Sequence, residues 1–281
     1  MKPSAPLQII RPVNSLVAGL AGILAYIIAT GTLLPAVLIV FGMILLITAA
    51  GNVINDYYDA AIDAINRPDR PIPSGAISGR EALALAVLLF LAGNILGIIS
   101  APLPLVLIAI INSFLLWIYA AYLKGMPLLG NLAVSCLAAS IFLFGGALDG
   151  WAGLMANLPV AGATFCVMIA RELIKDAEDI PGDMAQGART FPIIFGLKKS
   201  LLLAMGASVA GVLITLLLAD RWGSLYLAGI IPVDLLILAG AFRAVKARTV
   251  EEVRRSRGAT IIKAGMFASL VVFLAASLLF R

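Results

Sequence analysis

The amino-acid sequence predicts an all-α polytopic membrane protein, with about nine transmembrane helices in a single domain over residues 1–281. Hydrophobic residues make up 62% of the chain and charged residues only 12%, and the mean hydropathy is +1.07. A soluble domain carries about 25% charged residues, so the composition excludes that class. The apolar residues also fall in long uncharged runs, as membrane-spanning helices require.

Each uncharged run is close to the length of about 20 residues that a helix needs to cross a bilayer. In chain order, the predicted spans are residues 13–31, 34–55, 82–100, 102–122, 128–148, 151–170, 200–219, 224–242 and 261–280. Residues 1–15 contain no compact apolar core followed by a small-residue cleavage site, so we expect no cleaved signal peptide.

The boundaries of the polar segments are also predicted by local patterns. Ser78 and Glu81 have the spacing of a capping box at the start of the third span, and Thr249 and Glu252 repeat it at a short helix before the last span. After the second span, the stretch 67–74 contains three prolines, which exclude a helix and predict an extended loop.

The positive charges predict the orientation of the chain in the cell membrane. If the loops alternate between the two sides, all but two of the 20 Lys and Arg residues fall on one side, Lys2 among them, and the exceptions are Arg221 and Arg281. Loops rich in Lys and Arg stay in the cytoplasm. We therefore expect a cytoplasmic N-terminus and cytoplasmic loops that also contain the chemistry-bearing residues.

Two rows of aspartates share the same spacing of three and then four residues. The rows are Asp56, Asp59 and Asp63, and Asp176, Asp179 and Asp183. Positions i, i+3 and i+7 share one face of a helix, and each row follows an apolar span, the second and the sixth. A single row could be a solvated helix end, with Arg67 as the i+4 partner of Asp63. Two rows on one side of the membrane favour a functional site.

Pro181 and Gly182 interrupt the second row. We expect the helix to end there, so that Asp183 reaches the site from a turn.

The residue types limit the chemistry of such a site. The chain has no histidine and two cysteines, which excludes an ordinary zinc site and the usual general base. Magnesium binds through one or two carboxylates together with waters and substrate phosphates. Two acidic rows facing each other across a cavity could hold Mg²⁺ and, through it, a diphosphate. The basic residues that could bind phosphate oxygens are Arg67, Arg70, Lys124, Lys175 and Arg189.

Four stretches of the sequence resemble one known family. They are "NDYYD" at 55–59 with Asp63, "NRPDRPIPSG" at 66–75, "YLKGMPLLGN" at 122–131 and "RELIKDAEDIPGDMAQGART" at 171–190. In this order they are similar to the UbiA-type superfamily of intramembrane prenyltransferases. The resemblance implies a bundle of nine helices around a central cavity, open to the cytoplasmic side and laterally to lipid, with Mg²⁺ and a prenyl diphosphate bound between the aspartate motifs.

The resemblance also implies roles for individual residues. Asp56, Asp59, Asp176 and Asp179 would be catalytic because they hold the metal, with Asp63 and Asp183 as further ligands. The substrate would contact Asn55, Arg67, Arg70 and Lys124, and Arg11 and Asn14 resemble cavity-lining residues at the opening of the first helix.

Aromatic residues close the fourth span in "FLLWIYAAY", residues 114–122. For most of Phe114, Trp117, Tyr119 and Tyr122, helix packing or interface anchoring is the favoured interpretation. Tyr119 or Tyr122 could also contact the prenyl cation or the diphosphate. The basic loop at 242–263 is typical of a positive-inside anchor, or it could attract an anionic headgroup.

Within the superfamily, the chain is most similar to the archaeal digeranylgeranylglyceryl phosphate synthases. That similarity implies transfer of a geranylgeranyl group from its diphosphate to the hydroxyl of geranylgeranylglyceryl phosphate, a lipid acceptor. An aromatic, quinone-type or chlorophyll-type acceptor remains an alternative. An ion or solute transporter is a distant one, because transporter sites lie near the bilayer midplane. Membrane lipids are expected around the chain, and no nucleic-acid partner is expected.

Overall fold

A computed structural model describes residues 5–185 and 187–279 of the chain. Lys2 and Arg281, which were counted in the charge assignment above, lie outside these ranges.

Every regular element of the described residues is helical. The elements are α1 Ala5–Ile9, α2 Pro12–Thr30, α3 Val37–Tyr58, α4 Ala60–Asn66, α5 Gly79–Ser100, α6 Leu103–Ile118, a π-helical turn Tyr119–Leu123, α7 Leu129–Ala147, α8 Gly150–Ala185, α9 Phe191–Phe195, α10 Leu197–Leu217, α11 Ala219–Val245, α12 Val250–Ser256 and α13 Gly258–Leu279.

Nine helical segments within the described ranges are long and apolar enough to cross a membrane. They coincide in number and order with the nine predicted spans, which confirms the all-α polytopic fold class. The sixth of these, α8, is much longer than its predicted span of 151–170 and continues to Ala185. The second acidic row therefore lies on a helical extension rather than in a loop.

The chain divides into two compact units. The N-terminal unit comprises Met1–Tyr122 and Ser140–Met155, and the C-terminal unit comprises Leu123–Ala139 and Ala156–Arg281. Whether these units form the single domain expected from the sequence is not tested by this division, and that expectation stays a prediction.

The core of the N-terminal unit is built around α3, which packs against α2 and α5. Met43 and Ile54 of α3 are fully buried there. Glycine allows the close approach of α5: a Cβ atom at Gly93 would lie 2.9 Å from Ile47 Cγ1. Small residues at helix crossings are the usual means of packing helices in a membrane. This packing fixes the end of α3, where the first acidic row begins.

The core of the C-terminal unit contains α10, α11, α13 and the later part of α8. Leu173 of α8 and Ile237 of α11 are buried in one apolar cluster. Gly258 lies at the crossing of α11 and α13, where a Cβ atom would be 2.9 Å from the Gly240 carbonyl oxygen. The buried face of α8 therefore holds the helix that bears the second acidic row.

Both predicted caps are present. At α5 the Ser78 side chain accepts a hydrogen bond from the Glu81 N–H, and the Glu81 carboxylate accepts from the Ser78 N–H. At α12 the Thr249 hydroxyl accepts from the Glu252 N–H. The cap of α12 is not a complete capping box, because the Glu252 carboxylate accepts a hydrogen bond from the N–H of Arg248, at 2.7 Å, and not from that of the N-cap residue Thr249.

The expected end of α8 at Pro181 is wrong, because the helix continues for another turn. It ends in a Schellman motif, in which Ala188 N–H donates to the Asp183 carbonyl and Gly187 N–H to the Met184 carbonyl. Gly187 has φ 70°, the left-handed conformation that this motif requires. Proline is tolerated here because its missing N–H removes one helical hydrogen bond while the motif supplies two beyond it.

Candidate active site

The first acidic row crosses the junction of α3 and α4. Asp59 joins the two helices with φ −80° and ψ −5°, which are close to helical values. Its N–H donates to the Asn55 carbonyl, and the Asp63 N–H donates to the Asp59 carbonyl. The helical hydrogen-bond pattern therefore continues across the junction, and the spacing of three and four keeps Asp56 and Asp63 on one face.

Two arginines neutralise the buried carboxylates of this row. Asp56 is 5% exposed and Asp63 6%, and buried charges are stable only with partners. Arg70 Nη1 donates to Asp56 Oδ1 at 3.2 Å and to Asp63 Oδ2 at 2.5 Å. Arg11 Nη2 also donates to Asp56 Oδ1, at 2.5 Å. The i+4 residue Arg67 is instead exposed at the end of α4.

The position of Arg11 is set by the break between α1 and α2. Arg11 has φ 48° there, and the carbonyl of Ile10 accepts hydrogen bonds from Asn52 Nδ2 at 3.2 Å and Ser15 Oγ at 3.0 Å. The sequence reasoning missed Asn52, although it lies one helical turn before Asp56 in an otherwise apolar run. Asn14, the other predicted residue of this region, is exposed on α2.

Arg70 is placed by a series of turns, and the prediction of an extended loop after the second span is wrong. The N–H of Arg70 donates to the Arg67 carbonyl at 3.0 Å, and the Ser74 N–H donates to the Arg70 carbonyl at 2.9 Å. The fixed φ of proline suits the second position of a turn as well as an extended strand. The turns bring the Arg70 side chain back to the end of α3.

Asn55 and Asp59 form a second polar pair in the row. Asn55 Nδ2 donates to Asp59 Oδ2 at 2.9 Å, which orients the carboxylate and leaves the amide oxygen of Asn55 as an additional hard acceptor. Both side chains are partly accessible. These two residues present oxygen atoms suited to a divalent cation.

The second acidic row lies on α8 in the C-terminal unit. Asp176 Oδ2 accepts a hydrogen bond from Asn131 Nδ2 of α7 at 2.8 Å, and Asn131 is itself buried. Asp179 pairs with Lys175 one turn earlier, at 2.7 Å. The sequence reasoning missed Asn131 as a site residue, although it ends the quoted stretch 122–131.

Lys124 and Arg189, two further predicted residues, lie on either side of a backbone contact just beyond the end of α8. After Asp183 the chain turns at Gly187, and the N–H of Arg189 donates to the carbonyl of Gly125 at 3.0 Å. Gly125 follows Lys124 and has φ 83°, so it tightens the turn after the π-helical segment. Lys124 and Arg189 are exposed beside this contact, where an anion could reach both.

The aromatic residues of the fourth span have different environments. Trp117 packs against Phe90 with ring centroids 6.1 Å apart, whereas Phe114 is exposed. Tyr119 and Tyr122 lie in the π-helical turn, an irregularity that often accompanies functional sites. Tyr119 is partly buried, whereas Tyr122 is 67% exposed.

The oxygen ligands fit magnesium. In the described ranges no three His, Cys, Asp or Glu side chains converge closely enough to form a metal cage. Magnesium needs no such cage, because one or two carboxylates, waters and substrate phosphates complete its octahedron. Asp59 with Asn55 in the N-terminal unit, and Asp176 in the C-terminal unit, offer such incomplete sets.

Sequence comparisons identify relatives over the whole length of the chain. The profile of the UbiA prenyltransferase family matches residues 15–275. The digeranylgeranylglyceryl phosphate synthase of Methanospirillum hungatei is 58% identical over 279 residues, covering 99% of this chain and 100% of the relative. The enzyme of that name from Thermococcus kodakarensis is 39% identical, with 99% of both chains covered.

Solved structures show the same fold. One concerns digeranylgeranylglyceryl phosphate synthase in membranes: it is 31% identical and superposes with a TM-score of 0.89 over 98% of both chains. A UbiA homologue from Archaeoglobus fulgidus bound to GPP and Mg²⁺ has a TM-score of 0.65 at 17% identity, over 96% of this chain and 99% of the homologue.

Proposed function

Because this chain belongs to the UbiA prenyltransferase family, we propose that it joins a geranylgeranyl group to the hydroxyl of geranylgeranylglyceryl phosphate. In this reaction the bond between the allylic carbon and the diphosphate breaks, an ether bond to the glycerol oxygen forms, and the diphosphate and the hydroxyl proton are released. The observation that carries the proposal is the 58% identity to a digeranylgeranylglyceryl phosphate synthase over nearly the full length of both chains. The chain is thus a multi-pass membrane enzyme of prenyl transfer.

The residues of the two acidic rows account for the electrostatic part of the reaction. Magnesium, when bound, supplies positive charge against the departing diphosphate. In the N-terminal unit Asp59 and Asn55 would hold a metal ion, and in the C-terminal unit Asp176 would do so. The hydrogen bond from Asn131 keeps Asp176 oriented before any ligand arrives, so little reorganisation is needed.

The basic residues would bind the diphosphate directly. Arg70 is held by two carboxylates and is partly accessible, so its guanidinium has donors left for phosphate oxygens. Lys124 and Arg189 are exposed around one backbone contact in the C-terminal unit. Charges of this kind stabilise the leaving group and leave the allylic cation to be captured by the acceptor hydroxyl.

Both substrates would enter from the bilayer. Each geranylgeranyl chain prefers apolar surroundings by about 0.8 kcal/mol per buried CH₂ group, and the exposed surface of the spans is rich in large apolar side chains. The excess of Lys and Arg on one side favours a cytoplasmic position for the loops that bear the acidic rows. The polar headgroup of the acceptor would then meet the diphosphate at that side.

The proposal is tested by product analysis. Purified protein in detergent is given labelled geranylgeranyl diphosphate and Mg²⁺, with geranylgeranylglyceryl phosphate or a quinone precursor as the acceptor. We expect a labelled ether lipid from the first acceptor, and a loss of at least about a hundredfold in Asp56→Ala and Asp176→Ala. Asp149→Ala, which removes an exposed aspartate outside both rows, should keep full activity. Transfer to the quinone precursor alone would refute the assigned acceptor, and transfer unaffected by either variant would refute the assigned site.

A further inference from the structure

The short helix α12 contacts α8, the helix that bears the second acidic row, through one arginine. Arg254 Nε donates a hydrogen bond to the backbone carbonyl of Glu178 at 2.7 Å. Glu178 lies between Asp176 and Asp179, within the second acidic row. The contact joins residues 76 positions apart in the sequence, and both belong to the C-terminal unit.

The turn that Arg254 contacts is one of the two places where a proline interrupts the hydrogen bonds of α8. Pro181 has no N–H, so the carbonyl four residues earlier, at Ala177, loses its helical hydrogen bond. The proline ring also clashes with the Ala177 carbonyl, which bends the helix at this turn. The next carbonyl, that of Glu178, lies in the same turn. An arginine N–H at this carbonyl is a charge-assisted hydrogen bond from outside the helix, where the internal ladder is interrupted.

The helix α12 is held firmly enough to position this arginine. A helix of 7 residues has little stability of its own. Here Val253 is fully buried in the core of the C-terminal unit, and Arg243 of α11 donates to the Ser256 carbonyl at 3.0 Å. The Thr249 cap closes the first turn. Arg254 therefore extends from a fixed support.

The neighbouring residue shows what an arginine of this loop does without such a contact. Arg255 pairs with Glu251 on its own helix at 3.1 Å, and its side chain is 78% exposed. Exposed pairs of this type contribute little to stability. The two adjacent arginines thus have the same charge and different partners, which makes Arg255 the matched control.

We propose that Arg254 is a positioning residue for the second acidic row. It acts through the backbone of α8, by keeping the interrupted turn helical so that Asp179 and Asp183 stay in register with Asp176. This role deepens the proposed function, on which it rests, because the row that it positions contains Asp176, which is assigned to a metal ion.

The first test measures the backbone directly and needs no turnover. Hydrogen–deuterium exchange is followed for peptides covering residues 177–189 in the wild type, Arg254→Gln and Arg255→Gln. We expect amide exchange in this segment to rise about tenfold in Arg254→Gln and to stay at the wild-type rate in Arg255→Gln, with both variants keeping the wild-type melting temperature within about 2 °C. Equal exchange in the two variants would overturn the proposal.

The second test follows the metal. Mn²⁺ is titrated by electron paramagnetic resonance in the presence of geranylgeranyl diphosphate, and we expect the half-saturating Mn²⁺ concentration to rise about tenfold in Arg254→Gln alone. Arg254→Lys, which keeps a charged donor, should restore part of this shift. Arg254→Gln should also matter less in a Pro181→Ala background, because the Ala177 carbonyl then regains its helical hydrogen bond and the turn depends less on the contact from Arg254. An Mn²⁺ midpoint that is the same in Arg254→Gln and Arg255→Gln, or an effect unchanged by Pro181→Ala, would overturn the proposal.

These measurements separate the two conclusions. If the wild type transferred no prenyl group but Arg254→Gln still loosened residues 177–189, the proposed function would fail and the positioning role would stand. If the wild type were active and Arg254→Gln behaved as Arg255→Gln does, the positioning role alone would fail.

Discussion

Removing the side chain of Arg70 should destabilise the protein far more than removing that of Arg67, three residues earlier. Arg70 bonds two buried carboxylates at once, whereas Arg67 is exposed. Breaking a buried ion pair by removing one partner costs about 3–5 kcal/mol. The Arg70 side chain is 20% exposed, and Asp56 keeps Arg11 as a partner, so the lower end of this range applies, ~3 kcal/mol.

This free energy converts into a measurable shift. At about 2–4 °C per kcal/mol for a chain of this size, Arg70→Ala should lower the melting temperature in detergent by about 6–12 °C. Arg67→Ala should stay within about 2 °C, as exposed substitutions usually do. Arg70→Lys, which keeps the charge and loses the planar fork, should fall between the two.

Magnesium provides a second readout for the same variant. If the metal and Arg70 stabilise the same carboxylates, excess Mg²⁺ should recover part of the lost melting temperature in Arg70→Ala and change the wild type less. The reasoning is refuted if Arg70→Ala melts like Arg67→Ala. A large loss in Arg70→Ala that Mg²⁺ leaves unchanged would refute the overlap between arginine and metal.

Three other outcomes follow from contacts in the C-terminal unit and from the metal. Asn131→Leu should lower the transfer rate about tenfold and raise the half-saturating Mg²⁺ concentration, because Asp176 loses its hydrogen-bond donor. A steady-state Mg²⁺ titration measures this concentration, and an unchanged value would contradict the prediction. Gly187→Ala should lower the melting temperature by about 2–4 °C, because a residue with a Cβ atom is strained in the left-handed conformation at φ 70°. Gly182→Ala lies within the helix, with open space around its Cβ atom, and should leave the melting temperature unchanged. Equal shifts in the two variants would contradict the helix end described above. Chelation by EDTA should abolish transfer and Mg²⁺ should restore it, whereas transfer that persists in EDTA would exclude metal dependence.

The sequence predicted the features that depend on neighbours along the chain. Hydropathy runs of about 20 residues are a local property, and so are the caps at Ser78 and Thr249. The spacing of the aspartates predicted one face for each row because helical periodicity is also local. Even the continuation of the first row through the junction at Asp59 required nothing beyond near-helical backbone angles.

The contacts that the sequence did not predict join distant parts of the chain. The partner of Asp176 is Asn131, 45 residues away, and Asn52 reaches the Ile10 carbonyl across 42 residues. Such pairs are set by helix packing, so spacing rules cannot select them. Local reasoning chose Arg67 as a counterion, while the turns of the following loop deliver Arg70 instead. The end of α8 was misplaced for a different reason: the signal is local, but it is Gly187 beyond the proline, and not Pro181 itself, that supplies the stop.

The pairing of Arg70 with Asp56 and Asp63 has a consequence for biogenesis. All three residues lie within one short stretch, and the turns that return Arg70 to the row are closed by the backbone of that stretch alone. A nascent chain can therefore neutralise two of its carboxylates as soon as the second span and the following loop have left the ribosome. The charge of these two carboxylates is then balanced without the later helices and without a metal ion.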